Sequence, residues 1–303
     1  MLQRLLPRTR VQATSVGVQL SDDGISLAID QSSSAPGAGA AFGGSSTRAS
    51  SVSCHPADWR GQLDTLVRDL GLPKGTPANL VLPPDSYALL LLDPPDVPPS
   101  EMREAVRWRV RELVPFSVDD AVLDLFAFPE DAAKGRKTCF VAVAERRTLQ
   151  PRVEAFRDSR LVLRSIDISE LALRNLIPDD CDEPIAVLYA QGHIGLIALF
   201  KAGRLFLSRR LEVRDLGDDR TVDQVLLQLQ RSMDYFDSQL GQGLVNTVLS
   251  CMPPEFERDG IRRLQEMLPF PVHRLGDWLE QRGGGLIQSS VAAATGGARR
   301  RAG

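Results

Sequence analysis

Residues that usually carry metal or nucleophile chemistry are scarce in this chain. Its 303 residues include 3 histidines and 4 cysteines. The histidines do not pair at ligand spacing, and the cysteines form no Cys-x-x-Cys pair; they are Cys54, Cys139, Cys181 and Cys251. We therefore expect neither a zinc site nor a disulfide framework. No Ser/His/Asp or Cys/His arrangement can be assembled from such isolated histidines.

Long apolar runs and an excess of positive charge are also missing. No segment approaches the ~18 apolar residues that a membrane span needs, and Met1–Gln12 lacks the apolar core of a signal peptide. The net charge is −3, whereas nucleic-acid binders are usually strongly basic. These absences predict a cytoplasmic protein that has no membrane span of its own and no nucleic-acid partner. Any contact with a membrane is expected to come through another protein.

Alternating apolar residues predict a strand hairpin at the start of each half of the chain. Val16, Val18 and Leu20 lead into a turn at 21–24 whose Asp-Gly step suits a tight hairpin. Ile185, Val187 and Tyr189 lead into a second turn at 191–193. Mixed helical and strand periodicity follows each hairpin, which predicts an α/β protein with two related lobes.

Several local predictions follow from composition and end signals. Residues 31–52 are rich in Ser, Gly and Ala, which predicts a flexible loop. Ser100 is expected to cap a helix running to about Val114, and Thr221 with Gln224 resembles a capping box. The three glycines at 283–285 are predicted to form a joint that opens a final helix, from about Leu286.

Two segments resemble a family of bacterial pilus assembly proteins. Residues 99–124 read PSEMREAVRWRVRELVPFSVDDAVLD, and residues 227–236 read LQLQRSMDYF. The first is similar to the A-I-R-W…P-F…D-x-x-V-L-D stretch of the PilM type IV pilus assembly proteins. The second is similar to a helix shared by PilM and the MshI proteins of MSHA pilus biogenesis, and MshI members are the closer match.

The resemblance implies an actin-like fold, in which two ribonuclease-H-like lobes flank a cleft and a small α/β domain is inserted in the first lobe. By analogy, residues 1–52 would begin the first lobe and residues 53–145 would form the inserted domain. Residues 146–182 would complete the first lobe. Residues 183–303 would form the second lobe, with the last helix packing back on the first.

Actin-like ATPases need an acidic residue at the end of each lobe's first strand to hold Mg²⁺, glycines in the hairpin turns for phosphate, and a Gly-Gly beneath adenosine. Here Gln19 and Tyr189 take the acidic places, and Ser21 and Gln191 take the glycine places. A slip of one residue would instead put Gly192 in the second glycine place. Cys251 belongs to a segment with two prolines where Gly-Gly is expected. The resemblance then implies a degenerate nucleotide pocket, with no catalytic residue, metal or cofactor; Mg-ATP is the alternative.

The family's function is to hold the short cytoplasmic N-terminal peptide of an inner-membrane partner in a groove near the inserted domain. The resemblance implies a non-catalytic scaffold with a PilN-like or MSHA-equivalent partner, and it leaves a homodimer open. Trp108, with Arg107 and Arg111 beside it, is a candidate for partner binding; packing of Trp108 under a neighbouring loop is the alternative. An actin-like ATPase and an adaptor for type II secretion or competence uptake are the competing functions.

Overall fold

The computed structural model describes residues 14–31, 46–98, 100–132, 137–213 and 218–300. Its strands are β1 Thr14–Ser21, β2 Gly24–Gln31, β3 Ser46–Val52, β4 Thr76–Leu82, β5 Ala88–Leu92, β6 Ala121–Ala127, β7 Cys139–Glu145, β8 Leu161–Ile168, β9 Ile185–Gln191, β10 Ile194–Lys201, β11 Arg204–Glu212, β12 Thr247–Cys251 and β13 Val272–Arg274. Its α-helices are α1 Trp59–Asp69, α2 Met102–Val110, α3 Arg146–Asp158, α4 Ser169–Arg174, α5 Asp219–Ser238, α6 Pro254–Met267, α7 Leu275–Glu280 and α8 Ala292–Ala298.

The two large sheets have the same topology, which shows that the two lobes are related. The first has the order β3-β2-β1-β4-β8 and the second the order β11-β10-β9-β12-β13. In each, three antiparallel strands are followed by two strands added in parallel. Most residues of β1 and β9 are buried, as expected where elements cover both faces of a central strand.

A third, smaller sheet with the order β5-β7-β6 forms the inserted domain. Helix α2 covers it, and Val106 and Val110 of the helix pack with Val141 and Val143 of β7. The predicted boundary at residue 53 is wrong, because β4 lies between β1 and β8 and α1 packs on the first lobe. The local pattern of residues 59–82 could not reveal this, since the partner of β4 is distant in sequence.

Three other element predictions are corrected. The predicted loop at 31–52 contains β3, which pairs with β2 along its whole length; residues 32–45 lie outside the described part of the chain. Helix α2 begins at Met102 and ends at Val110, so it is shorter than predicted. Helix α5 begins at Asp219 after Asp218, two residues before the supposed capping residue Thr221. Polar strands at sheet edges carry little apolar signal, and helix ends are defined by hydrogen bonds more than by composition.

The last helix, α8, begins at Ala292 rather than near Leu286, and residues 283 and 285 instead have the positive φ of a turn after α7. All seven residues of α8 are buried, between the first sheet and α4. Two glycines make this fit possible: a Cβ on Gly17 would lie 1.9 Å from the Ala294 carbonyl oxygen, and a Cβ on Gly296 would lie 1.9 Å from the Ala172 carbonyl oxygen. Such a short, glycine-containing helix is held by packing rather than by intrinsic propensity.

We predict that Gly17→Ala destabilises the protein by about 1–3 kcal/mol, the usual range for overpacking a filled site. Its methyl group would meet backbone atoms of α8, which cannot move without shifting the helix. Gly61→Ala is the matched control, since a Cβ there meets nothing within 4 Å. As an alanine inside α1, it should stabilise by roughly 0.5–1 kcal/mol. Urea unfolding followed by circular dichroism measures both; equal effects would contradict the close approach of α8.

Candidate functional site

The two lobes meet where their first strands end, because the shared topology brings β1 and β9 to corresponding places. Gln19 and Ser21 lie at the end of β1, and Tyr189 and Gln191 lie at the end of β9. Cys251 ends β12 and is paired in register with Tyr189. The structure therefore brings all five residues of the predicted degenerate pocket to one cleft.

Direct hydrogen bonds join the lobes at this point. The Tyr189 hydroxyl donates to Gln19 Oε1 at 3.1 Å. Gln191 Nε2 lies 3.2 Å from Ser21 Oγ and 3.1 Å from Asp23 Oδ2. Gln19 is 2% exposed and Tyr189 is 1% exposed, so protein side chains fill the position between the two strand ends. Burial also raises the pKa of the Tyr189 hydroxyl, which keeps it neutral and able to donate.

The backbone of the first hairpin is held by side chains of the first lobe. Trp59 Nε1 donates to the Ser21 carbonyl at 3.2 Å, and Arg152 Nε donates to the Leu20 carbonyl at 3.0 Å. The Arg152 guanidinium also lies 4.8 Å from the centre of the Trp59 ring, and burial lowers its pKa. This buried cation is thus bonded to backbone oxygens rather than directed at an anion site.

A cavity of about 650 Å³ lies beside these residues, between the hairpin turns and the starts of α6 and α7. Its charge is mainly negative: among the described residues that line it, Arg274 is the one cation, and Arg274 Nε lies 3.2 Å from Glu257 Oε2. Burial raises the pKa of Glu257, which accepts a hydrogen bond from Ser289 Oγ at 3.1 Å. The lining carboxylates are those of Asp23, Glu255, Glu257 and Asp277. Such a lining disfavours a nucleotide polyphosphate.

The segment after β12 does not offer a bare backbone surface. Cys251 and Met252 are buried, and burial raises the pKa of the Cys251 thiol to about 12. Pro253 and Pro254 lead into α6 without N–H groups to donate. The first turn of α6 carries its own acidic residues, Glu255 and Glu257, where a helix dipole would otherwise favour an external anion. Among the described residues, no group of three or more His, Cys, Asp or Glu side chains could hold a metal ion.

A second buried polar cluster joins the lobes and was not predicted. The Tyr87 hydroxyl, just before β5, is hydrogen-bonded to Glu170 Oε2 on α4. Ser208 Oγ of β11 donates to the other Glu170 oxygen at 2.7 Å. Arg210 of β11 donates to the carbonyls of Tyr87 and Pro84. Burial raises the pKa of Glu170, and the hydrogen bonds from Tyr87 and Ser208 act in the opposite direction. No sequence signal marks the cluster, since its members come from three distant segments.

A groove of about 230 Å³ separates the inserted domain from the first lobe. Its walls include β6 and β8, which lie at the edges of their sheets in the described part of the chain. Val122 of β6 is 41% exposed and Ile166 of β8 is 39% exposed. Most of the described residues that line it are apolar, and the charged ones among them are Arg103, Asp124 and Asp167. We call this feature the edge-strand groove.

The predicted partner-binding residues lie outside the edge-strand groove. Arg107 donates to the Val118 and Ala121 carbonyls at 2.7 and 2.8 Å, so it holds the segment after α2. Trp108 is 63% exposed, which overturns the alternative that it packs under a loop. The Arg111 guanidinium lies 6.0 Å from the centre of the Trp108 ring, at the outer limit of a cation–π contact.

Comparison with solved structures gives the fold. The chain is similar to a structure of the PilM-PilN type IV pilus biogenesis complex, with a TM-score of 0.71 and 19% identity over 95% of this chain and 98% of that one. It is similar to a Bacteroides thetaiotaomicron protein with an actin-like ATPase fold and unknown function, with a TM-score of 0.55 and 10% identity over 96% and 99%. It is also similar to the cytoplasmic domain of EpsL, an inner membrane component of the type II secretion system of Vibrio cholerae, with a TM-score of 0.53 and 12% identity over 89% and 94%.

These likenesses confirm the predicted actin-like ATPase fold. No protein-family model matches the chain, and no curated protein matches it. In the part of the chain that the structure describes, every helix is too short or too polar to span a lipid bilayer. The relation to MshI stays a prediction.

We predict that Tyr189→Phe lowers the free energy of unfolding by about 1–3 kcal/mol, because it leaves Gln19 Oε1 buried without its donor. Tyr235→Phe is the control, since Tyr235 is 42% exposed and surface changes usually stay within about 0.5 kcal/mol. Urea unfolding of the two variants gives the comparison. A Tyr189→Phe protein as stable as the wild type would show that the hydrogen bond between the lobes contributes little.

The raised pKa of Glu170 predicts a pH dependence. Because the folded pKa exceeds the unfolded value of about 4.3, the contribution of this carboxyl is full at low pH and is lost as pH rises. Glu170→Gln removes the ionisation, so the variant should gain stability relative to the wild type as the pH rises above the unfolded pKa of about 4.3. Urea unfolding at steps of pH tests this. Parallel stability profiles for the two proteins would contradict it.

Proposed function

We propose that this chain is a non-catalytic scaffold of a pilus or secretion assembly platform, and that its edge-strand groove binds an extended peptide from an inner-membrane partner. The observation that carries the proposal is the combination of two strand ends bridged by Gln19 and Tyr189 with a separate groove between two sheet edges. The fold then serves as a frame for protein binding.

The groove suits an extended peptide for two physical reasons. Strands at sheet edges have backbone N–H and C=O groups that a further strand can pair with, and alternate side chains of that strand would enter the groove. Val122 and Ile166 offer apolar contacts, while Arg103 and Asp124 provide charged groups of both signs at the wall. Arg103 NH2 lies 2.9 Å from Asp124 Oδ1, and both side chains are 71% exposed, so a peptide could exchange this ion pair for its own.

The cleft supports a function without nucleotide hydrolysis. Magnesium binds oxygen ligands, usually carboxylates together with substrate phosphates, and the two strand ends carry an amide and a phenol instead. The acidic cavity beside them disfavours phosphate, and the prolines of the α6 start lack N–H donors. Together these features support a pseudo-ATPase that needs neither ATP nor Mg²⁺.

The structural likenesses support the choice of partner. One similar protein is PilM in a complex with PilN, and another is the cytoplasmic domain of an inner membrane component. We infer a PilN-like or MSHA-equivalent partner, bound through its cytoplasmic N-terminal segment, and a cytoplasmic position at the inner membrane. The likeness to EpsL favours an adaptor role in type II secretion as the second candidate. A homodimer stays a prediction.

The exposed Trp108 and its neighbour Arg111 are proposed as a second contact surface, at the end of α2 and outside the groove lining. An aromatic side chain that is 63% exposed offers a large apolar area to a partner. Arg107 is not part of this surface, because its guanidinium is bonded to backbone carbonyls.

We predict that a fluorescent peptide with the N-terminal cytoplasmic sequence of the PilN-like protein from the same genome binds to the purified chain. Val122→Asp should weaken this binding at least about tenfold, since it puts an unpaired charge on an apolar wall. Val153→Asp is the control, because Val153 is 38% exposed on α3 and does not line the groove. Fluorescence anisotropy measures both affinities. Equal losses, or no binding by the wild type, would refute the groove as the partner site.

We predict no thermal stabilisation by millimolar Mg-ATP. A ligand at ~100 times its dissociation constant would stabilise the fold by about 2.7 kcal/mol, which a melting curve readily detects. The companion variant is Gln19→Asp, which restores a carboxylate at one strand end, and its melting curve is measured under the same conditions. A clear upward shift of the wild-type melting temperature would return the protein to the nucleotide-binding class.

A further inference from the structure

A continuous chain of hydrogen bonds, buried except at its Ser208 end, connects the cleft to the edge-strand groove. It begins at the Tyr189–Gln19 bond, and Gln19 Nε2 then lies 3.5 Å from Ser169 Oγ. The Ser169 amide donates to the Tyr87 hydroxyl at 3.2 Å, and that hydroxyl is bonded to Glu170. The chain ends at Ser208, which donates to Glu170. We call these six residues the interlobe hydrogen-bond chain.

Both ends of this chain belong to the second lobe, and its middle belongs to the first. Tyr189 lies on β9 and Ser208 on β11, whereas Ser169 and Glu170 begin α4 directly after β8. All of these residues except Ser208 are at most 5% exposed. A buried polar group left without its partner is costly, so each link restrains the position of the next.

The middle of the chain is also a wall of the groove. Tyr87 lines the groove, together with Ile168, the residue before Ser169, and Leu82, whose carbonyl accepts from Ser169 Oγ at 2.8 Å. Arg210 of β11 restrains the same wall from the second lobe, because it donates hydrogen bonds to the Tyr87 carbonyl at 2.6 Å and to the Pro84 carbonyl. Residues 83–87 connect β4 to β5, so the chain passes through them from the first lobe into the inserted domain.

We propose that the second lobe sets the shape of the edge-strand groove through the interlobe hydrogen-bond chain and Arg210. The lobes are thus held in one arrangement by protein side chains, and a change in that arrangement changes the wall that a partner contacts. That the groove holds a partner rests on the proposed function; the mechanical link between lobe and groove does not. Such a link is a coupling free energy between two places in the molecule, so it can be measured from either end.

The test removes hydrogen bonds that the second lobe makes to the groove wall. It then measures hydrogen exchange at the groove in the absence of any peptide. Arg210→Met removes the bonds to Pro84 and Tyr87, and Ser208→Ala removes one donor to Glu170. Arg209→Met is the matched control on the same strand, because Arg209 NH1 bonds to Gln228 Oε1 within the second lobe at 2.8 Å. Hydrogen exchange followed by mass spectrometry should show backbone amides of residues 82–92 and 161–168 exchanging about tenfold faster in the first two variants. The control should match the wild type there.

Faster exchange confined to β11 itself, or equal exchange in all four proteins, would overturn the inference. Melting curves of the same samples identify a variant that has lost its fold, and the other loosening variant then decides the result. The peptide titration is run on the same set: weaker binding by Arg210→Met and Ser208→Ala, with the control unchanged, supports the coupling. If no peptide binds the wild type, the proposed function fails, while the exchange data still decide the coupling.

Discussion

A buried hydrogen bond between Tyr189 and Gln19 joins the two lobes of this molecule where their first strands end. It joins the first strand of one sheet to the first strand of the other, in a place that solvent barely reaches. In a buried site such a bond is strong, and leaving either partner unsatisfied is costly. Protein side chains thereby occupy the space between the two strand ends, and Gln191 adds hydrogen bonds to Ser21 and Asp23 beside it.

The rest of the first lobe is built around the same strand. Gly17, two residues before Gln19, lets α8 approach β1 closely enough that no other residue would fit. Asn79 of β4 donates to the Gly297 carbonyl at 2.9 Å, and Asn175 donates to the Gly296 carbonyl at 3.1 Å. Helix α8 therefore lies against the start of the described fold, two residues from Gln19.

The inserted domain forms one wall of the edge-strand groove. Its core is small and separate from the cores of the lobes, and its sheet leaves β6 at an edge, facing the edge strand β8. The groove has apolar walls between two sheet edges, whereas the cleft has Gln19 and Tyr189 between its strand ends and an acidic cavity beside them. The proposed scaffold therefore assigns binding to the groove and no chemistry to the cleft. Tyr87 lies at the junction of the two, because it is a lining residue of the groove and its hydroxyl belongs to the buried polar cluster.

The sequence by itself determined the α/β class, the two hairpins and the residues at their ends, since alternating apolar residues and turn residues act over short distances. Through the resemblance to actin-like proteins it also predicted that Gln19, Ser21, Tyr189, Gln191 and Cys251 belong to one degenerate pocket, which stays a prediction. Only the tertiary structure decided that α1 and β4 belong to the first lobe and that β3 joins its edge. It alone revealed the Glu170 cluster, the edge-strand groove and the internal role of Arg107. These features depend on contacts between residues far apart in the chain, and no local pattern records such contacts.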